Sequence, residues 1–271
     1  MPRVEAVIPA RNEEKYLRAT IEALAEQTLT LDRMIVVNDG STDATRGIAL
    51  ANGCEVVDVA KDGPREKGSP ALAKVFNAGL DRVSNLAEYV LILGADHILP
   101  RDYVEKVITN MTRDSASLAS GVISHEARQV PRGSGRIAST SVWRRVTGKL
   151  AYPLSYGFET YLVLKMQKEG YNVAVYPDIR SYVQRKTGTE TNYVSYGRAM
   201  KFLGYTFVYM LGRALVSTMR FRNPAKAVQT LVGYITYQDK SDLADFLSDT
   251  QRKLLLTYVR NPRNILARID T

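Results

Sequence analysis

The sequence predicts an α/β fold in which a mostly parallel sheet is flanked by helices, followed by a helical C-terminal region. Short apolar runs alternate with segments of helical periodicity over residues 4–124, which is typical of a parallel sheet covered on both faces. Hydrophobic residues make up 45% of the 271 residues and charged residues 24%. These are ordinary proportions for a globular chain that can bury a substantial core.

Each predicted strand is an apolar run that ends in a polar loop, the first one closed by Pro9. Helices are predicted where apolar residues recur every three or four positions, as at Leu17, Ile21 and Leu24. Predicted strands cover 4–8, 33–37, 55–59, 89–93 and 118–124. Predicted helices cover 13–27, 42–52, 71–81 and 101–114.

After about residue 125 the alternation stops. A loop at 129–135 precedes helices predicted at 139–147 and 159–169. From Tyr193 onward the pattern is helical to the end, with breaks near Asn223-Pro224 and Asn261-Pro262. The sequence therefore predicts a boundary near residue 190, between an α/β domain and the helical region.

The composition limits the class of partner and the compartment. The formal net charge of +9 favours anionic partners, whether nucleic acid, anionic lipid or phosphorylated substrates. A single cysteine, Cys54, excludes an internal disulfide and favours a reducing compartment. No signal peptide is visible, and the longest uncharged runs, at 202–212 and 227–238, fall short of the ~20 apolar residues that span a bilayer. We expect a chain that does not cross a membrane, although it can lie on one.

Ligands of parallel sheets bind beyond the carboxyl ends of the strands, so the loops after the predicted strands are the place to seek a site. Four polar or acidic motifs occur there and further along the chain. They are VIPARNEE at 7–14, VVNDGSTD at 36–43, YVLILGADHILP at 89–100 and YGFETYLVLKMQKEGY at 156–171. In this order they resemble the motifs of family 2 glycosyltransferases, whose usual forms of the first two are VIPxYNE and VVDDGSTD.

The resemblance implies a GT-A (Rossmann-like) fold and an inverting transfer from a nucleotide sugar. It predicts a catalytic domain at 1–190, with a nucleotide-sugar half at about 1–125 and an acceptor half at about 126–190, and a helical region at 191–271. The expected donor is a GDP- or UDP-linked hexose of mannose or glucose type. The expected acceptor is lipid-linked or a glycan, as in dolichol-phosphate mannose synthase-like enzymes.

On the donor side, the resemblance assigns Asp39 to a hydrogen bond with a ring N–H of the nucleobase, with Pro9 and Arg11 bordering the base. Asn-Asp-Gly-Ser is also good turn chemistry, which is the alternative for Asp39. Glu13 joins the donor site, or is instead a carboxylate favoured at a helix N-terminus.

The implied cofactor is Mg²⁺ or Mn²⁺ bound by Asp96, because the departing diphosphate carries charge that a divalent ion neutralises. Here the sequence departs from the family, since Gly94 stands where a first aspartate is usual. His97 could supply a nitrogen ligand, which Mn²⁺ tolerates better than Mg²⁺, or it packs at a strand end.

Glu159 is the predicted catalytic base, which takes the proton of the acceptor hydroxyl. The family usually has an aspartate there, with an acidic neighbour where this chain has Phe158. The alternative is a helix N-terminal carboxylate without a catalytic role. Two cations are predicted to contact the diphosphate, Lys67 after the third strand and Arg185 after the last one. The alternative for Lys67 is a solvated basic loop.

Residues 198–220 predict one basic amphipathic helix. Its polar stripe contains Arg198, Lys201, Tyr205, Tyr209, Arg213 and Arg220. Such a helix lies in an anionic membrane surface, or packs its apolar face on the catalytic domain. The segment also resembles the tails of family members that extend lipid-linked or surface glycans. We therefore expect a cytoplasmic protein, peripheral on the cytoplasmic face of the membrane.

Three other functions fit parts of the sequence. A nucleotidyltransferase shares a similar sheet but normally has a Gly-rich basic loop after the first strand, where this chain has Pro-Ala-Arg-Asn-Glu-Glu. A nucleic-acid-binding protein fits the charge, yet no recognised binding motif occurs, and no nucleic-acid partner is expected. An inactive, sugar-binding transferase would explain Gly94.

Overall fold

A computed structural model describes residues 1–60, 68–124, 130–131, 133–185, 192–221 and 223–260, with backbone alone at 216–221 and 254–260. The described residues form two compact units. The first lies within Met1–Gly63, Lys74–Tyr152 and Glu169–Thr189, and the second within Pro64–Ala73, Pro153–Lys168 and Glu190–Thr271. The predicted domain boundaries stay a prediction.

The first unit contains the sheet. Its strands are β1 (Val4–Ala10), β2 (Arg33–Asp39), β3 (Glu55–Val59), β4 (Tyr89–Ile92), β5 (His97–Ile98), β6 (Ala116–Ile123), β7 (Arg136–Ser139) and β8 (Asn172–Val183). The strand order is β3-β2-β1-β4-β7-β6-β8-β5. The pairs β1–β2, β1–β4, β2–β3 and β6–β8 are parallel, whereas β7 is antiparallel to both its neighbours and β5 is antiparallel to β8. The predicted mostly parallel α/β sheet is confirmed.

Helices pack on this sheet and build the second unit. They are α1 (Leu17–Ala25), α2 (Thr45–Ala51), α3 (Pro70–Leu80), α4 (Tyr103–Arg113), α5 (Thr140–Thr147), α6 (Phe158–Lys168), α7 (Tyr193–Leu203), α8 (Phe207–Phe221), α9 (Pro224–Thr236) and α10 (Ala244–Arg260). The core of the first unit joins strand residues to helix residues spaced three or four apart. Its fully buried members include Val4, Ile8, Leu17, Ile21 and Val107.

Several elements differ from the sequence prediction, among them the start of α1 and strand β7. The helix expected from residue 13 begins at Leu17, because Asn12 has a left-handed backbone (φ 52°) and the residues after it form a turn closed on the Glu13 carbonyl. Strand β7 (Arg136–Ser139) lies between the loop predicted at 129–135 and the helix predicted from residue 139, where no strand was predicted. It is four residues long and contains Arg136, so its strand structure depends on pairing with β4 and β6 rather than on its own pattern.

In the second unit, α7 and α9 cross at two glycines. A Cβ atom at Gly197 would lie 2.0 Å from the Thr230 carbonyl oxygen, and one at Gly233 would lie 1.9 Å from the Val194 carbonyl oxygen. Backbone therefore packs directly on backbone, which a larger residue would prevent.

The predicted single helix over 198–220 is wrong. Helix α7 ends at Leu203, where Gly204 adopts φ 91°, and α8 begins at Phe207. A side chain at Gly204 would collide with Ala244, because a Cβ atom added to the glycine would lie 2.2 Å from the Ala244 Cα atom. Within the described residues, none of the helices combines the length and apolar character that crossing a bilayer requires.

The glycine crossing predicts a position-specific effect on stability. We expect Gly197→Ala to lower the free energy of unfolding by about 1–3 kcal/mol, because the added methyl group overpacks the crossing. The control is Gly212→Ala in α8, where a Cβ meets nothing within 4 Å. Alanine should there raise stability by up to about 1 kcal/mol through helix propensity. Urea unfolding measures both, and equal effects would contradict the close crossing.

Candidate active site

The loops after β1 and β2 are tied together at the carboxyl end of the sheet. The parallel register pairs Ala10 with Asn38, which places the next residues of both strands side by side. The Asn12 backbone N–H donates to Ser41 Oγ over 3.1 Å, and Asn12 Oδ1 accepts from the Thr42 N–H over 2.9 Å. Asn12 therefore fixes one loop against the other.

Asp39 is buried at the end of β2, just before Gly40, whose φ of 61° turns the chain. The Arg11 guanidinium lies beside it, with 4.0 Å between Nη1 and Oδ2. Pro9 is half-buried on the adjacent strand. The structure thus brings the three residues predicted to surround the base to the adjoining ends of β1 and β2, and their roles stay predictions.

Arg185 joins two carboxylates that come from different loops. Its Nε donates to Asp96 Oδ2 over 2.7 Å, and its Nη2 donates to Glu13 Oε1 over 2.6 Å. The antiparallel pairing of β5 with β8 sets His97 opposite Val183, which delivers Arg185 to Asp96. The guanidinium is still about half exposed, so an incoming anion can reach it.

The Glu13 carboxyl group is held in an unusual environment. The side chain is buried, its residue being 7% exposed, and its backbone N–H donates to Thr45 Oγ1 over 2.7 Å. Oε2 is buried and has no hydrogen-bond partner among the described residues. Burial raises the pKa of Glu13 above its ordinary value, against the opposing hydrogen bond and charge of Arg185. Burial lowers the pKa of Arg185, but the charges of Asp96 and Glu13 outweigh it and raise that pKa.

His97 is a buried link behind the Asp96 loop. Its Nδ1 lies 2.6 Å from Ser134 Oγ and its Nε2 lies 2.8 Å from Ser181 Oγ. Ser134 Oγ also accepts the backbone N–H of Gly94 over 2.8 Å. Both ring nitrogens are thus engaged, and coordination of a metal by His97 would require one of these bonds to break. The metal role of His97 stays a prediction.

Gly94, which replaces the usual first aspartate, has little room for a side chain. A Cβ atom there would lie 3.1 Å from Asp96 Oδ1 and 3.3 Å from Ser134 Oγ. The serine hydroxyl therefore occupies the neighbourhood that a first carboxylate would enter.

The donor set at Asp96 suits a hard divalent cation that also binds phosphate. Carboxylates of Asp96 and Glu13 converge on one cation, the Arg185 guanidinium, and Glu13 adds an unpaired buried oxygen. The described part of the chain contains no group of three or more His, Cys, Asp or Glu side chains that could hold a metal. Mg²⁺ in phosphate-transfer sites is commonly bound by one or two carboxylates plus phosphate oxygens, and this pair fits that pattern.

Glu159 lies in the second unit, in the first turn of α6, and is half-buried. Gly157 before it has φ 72°, and a Cβ there would lie 3.0 Å from Ala199 Cβ on α7. The Gly157 N–H donates to the Gly68 carbonyl over 2.9 Å. The helix start is therefore fixed by glycine geometry. Lys67, the other predicted diphosphate contact, lies outside the described residues.

The sequence reasoning missed the residues that hold Arg185 and Asp96 in place. The Gln184 backbone N–H donates to the Asp96 carbonyl over 2.8 Å, and its side chain donates to the Tyr16 carbonyl over 3.1 Å. Arg185 stacks over the Tyr16 ring, 5.6 Å from its centroid. A glutamine after a strand is not diagnostic of a functional site. The only signal in the sequence was therefore that Gln184 is the neighbour of Arg185.

Solved structures share this fold at low sequence identity. The mannosyltransferase PcManGT of Pyrobaculum calidifontis aligns over 99% of this chain and 84% of its own, with a TM-score of 0.59 and 17% identity. Glucosyl-3-phosphoglycerate synthase of Mycobacterium tuberculosis covers 72% of this chain and 77% of its own, with a TM-score of 0.56 and 19% identity. S. aureus TarS 1-349 aligns over 86% of this chain and 71% of its own, with a TM-score of 0.55 and 16% identity. The predicted GT-A (Rossmann-like) fold is confirmed.

Curated relatives match shorter segments. Glycosyltransferase GlyA of Streptococcus pneumoniae is 29% identical over 123 residues, which is 44% of this chain. The 4,4'-diaponeurosporenoate glycosyltransferase of Staphylococcus aureus is 46% identical over 56 residues, or 21% of this chain. The matches span 16% and 15% of the length of those two relatives.

The family comparison covers most of the sheet-bearing region. The sequence model described as "Glycosyl transferase family 2" matches residues 5–178, a span that includes all four motifs of the sequence. With well over half of its length matched, this chain belongs to glycosyl transferase family 2.

Proposed function

We propose that this chain is an inverting hexosyltransferase that moves a mannose- or glucose-type sugar from a GDP- or UDP-linked donor to a lipid-linked or glycan acceptor. The observation that carries the proposal is the Arg185 guanidinium held between Glu13 and Asp96, at the strand ends of a family 2 chain. A half-exposed cation beside buried carboxylates can exchange one carboxylate partner for a phosphate oxygen.

The strand-end loops supply complementary contacts for a nucleotide diphosphate. Asp39 is buried at the carboxyl end of β2, where its carboxylate can accept a hydrogen bond from a ring N–H of the base. Arg11 borders this carboxylate and can lie against the base or ribose. Arg185 then meets the diphosphate, whose charge attracts a guanidinium that forms bidentate contacts.

The ligands of proteins with a similar structure support a nucleotide-sugar donor. PcManGT was solved in complex with GDP-Man and Mn²⁺, and TarS 1-349 in complex with UDP-GlcNAc. Both GDP- and UDP-linked donors therefore occur among proteins of this fold.

The proposed chemistry is a single displacement. The acceptor hydroxyl oxygen attacks the anomeric carbon from the face opposite the diphosphate. A new C–O bond forms while the bond from the anomeric carbon to the phosphate oxygen breaks, and the nucleoside diphosphate leaves with that electron pair. Glu159 takes the hydroxyl proton as general base, and the configuration inverts.

Asp96, with Glu13 as the second carboxylate, would hold Mg²⁺ or Mn²⁺. When bound, the ion neutralises charge on the departing diphosphate. The chain's own contribution is Arg185, which carries positive charge at the same carboxylates and stabilises the leaving group as negative charge develops.

Donor binding tests the nucleotide site. We expect calorimetric titration to show binding of UDP or GDP with about micromolar affinity, strengthened by Mn²⁺, with a nucleoside monophosphate binding at least about tenfold more weakly because it lacks the second phosphate. Asp96→Ala should remove the Mn²⁺ effect. Asp102→Ala is the matched control, since that carboxylate pairs with Lys106 on α4. Absence of binding by either diphosphate would refute the proposal.

A second test separates the structural and metal-binding roles of His97. We expect Ser134→Ala to lower the free energy of unfolding by about 1–3 kcal/mol, because it leaves the Gly94 N–H and a His97 nitrogen without their partner. The Mn²⁺ concentration that half-saturates activity should stay unchanged. Ser141→Ala, at an exposed hydroxyl, is the control. A severalfold change in Mn²⁺ requirement without loss of stability would assign His97 to the metal.

Replacement of the base tests the reaction itself. Glu159→Gln keeps the shape of the side chain but cannot accept the proton, so we expect sugar transfer to fall by about 10²–10⁴-fold with donor affinity unchanged. Glu22→Gln, on the exposed face of α1, is the control. A normal transfer rate in Glu159→Gln would show that another group is the base. Donor binding without any transfer or hydrolysis by the unmodified chain would favour the inactive, sugar-binding alternative.

A further inference from the structure

Helices α8 and α9 of the second unit expose an apolar surface along their outward faces. The six residues that form it, here named the apolar ridge, are between 41% and 64% exposed. They are Val208, Leu211 and Leu215 on α8 and Val228, Val232 and Ile235 on α9. Their spacing of three or four residues places each set on one face of its helix.

The ridge is not needed to pack these helices on one another. The inward faces of α8 and α9 already form a buried cluster of Met210, Ala214 and Tyr234, together with Met200 of α7. The close crossing at Gly197 and Gly233 buries a further side of α9. Both helices are therefore apolar on their outer as well as their inner faces, and a surface of this kind marks an interaction site.

The charge of the sequence segment that carries the ridge indicates the partner. Residues 191–238 contain no Asp or Glu, but they include six basic residues, which carry +6 of the chain's net +9. They are Arg198, Lys201, Arg213, Arg220, Arg222 and Lys226. An acid-free basic segment complements an anionic surface and would be repelled by a cationic one.

Two of these cations lie against tyrosine rings, and each pair joins α7 to α9. Lys201 Nζ lies 4.8 Å from the centroid of Tyr234, and Lys226 Nζ lies 5.0 Å from that of Tyr193. The second unit thus combines basic residues and tyrosines with exposed aliphatic residues, and this is the composition of helices that lie in the headgroup region of a bilayer.

We infer that the apolar ridge docks on a lipid bilayer that contains anionic headgroups, with α8 and α9 lying along its surface. The aliphatic side chains enter the boundary between headgroups and acyl chains, and the basic residues meet lipid phosphates. This differs from the expectation of a continuous basic helix over 198–220, because the outward apolar faces of two separate helices make the contact. It goes beyond the proposed sugar transfer and involves no residue of the candidate active site.

The experiment is cosedimentation of the full chain with vesicles. Vesicles of phosphatidylcholine with 30% phosphatidylglycerol (about one anionic lipid in three) should bind the chain, and pure phosphatidylcholine should bind it at least about tenfold more weakly. The ridge variant combines Val208→Gln, Leu215→Gln, Val228→Gln and Ile235→Gln, since glutamine preserves helix propensity. We expect its partition coefficient to fall at least about tenfold.

The matched control combines Leu50→Gln with Leu86→Gln in the first unit, where the residues are 48% and 65% exposed. It should bind vesicles as the unmodified chain does. Titration with UDP and GDP on all variants reports whether they are folded and whether the nucleotide site is intact. Loss of vesicle binding with retained nucleotide binding therefore supports the membrane contact independently of the proposed sugar transfer. Equal vesicle binding by the ridge variant and the control overturns it. Failure of the unmodified chain to bind anionic vesicles also overturns the inference. Formation of a dimer in solution that depends on the ridge, in place of vesicle binding, overturns it as well.

A second measurement does not depend on weakening the surface. Val232→Cys, labelled with an environment-sensitive fluorophore, should show a blue shift on addition of the anionic vesicles, because the probe enters the acyl boundary. Leu86→Cys with the same label should not shift. Equal responses at both positions would overturn the inference.

Discussion

The ion pairs that Arg185 makes with Glu13 and Asp96 hold the candidate active site together. Both carboxylates are largely buried, and a buried carboxylate without a counter-charge is strongly unfavourable. The Arg185 guanidinium therefore compensates the negative charge of two carboxylates, which lie on loops that follow different strands. Because Glu13 keeps one oxygen without a partner among the described residues and Arg185 stays half exposed, the arrangement can exchange partners when an anion arrives.

Behind these charges, hydroxyl groups fix the backbone that bears Asp96. Ser134 binds the Gly94 N–H and the His97 ring, and Ser181 binds the other ring nitrogen. Hydrogen bonds of this kind stabilise modestly when they form, but losing a buried partner is costly. These hydroxyl groups thus hold the loop from behind, in addition to the ion pair between Asp96 and Arg185.

The two units expose different surfaces for physical reasons that lie in their packing. The first unit presents polar loops at the carboxyl end of its sheet, because the loops that follow parallel strands lie together at that end. In the second unit, glycines at 197 and 233 let α7 and α9 pack backbone to backbone. The inner faces are then filled by a small buried cluster, and the outer aliphatic residues of α8 and α9 remain on the surface. The polar loops carry the proposed sugar transfer, and the outer aliphatic residues carry the proposed bilayer contact.

By itself, the sequence determined the alternation of strands and helices, the family and the strand ends at which Asp39 and Asp96 lie, because apolar periodicity and local motifs are short-range properties. Tertiary structure decided the rest. Strand β7 depends on pairing with β4 and β6, and the break at Gly204 depends on Ala244, which is distant in sequence. The triad of Glu13, Asp96 and Arg185 joins residues up to 172 positions apart. Contacts of that range leave no periodic trace in the chain, so only the folded arrangement brings them together.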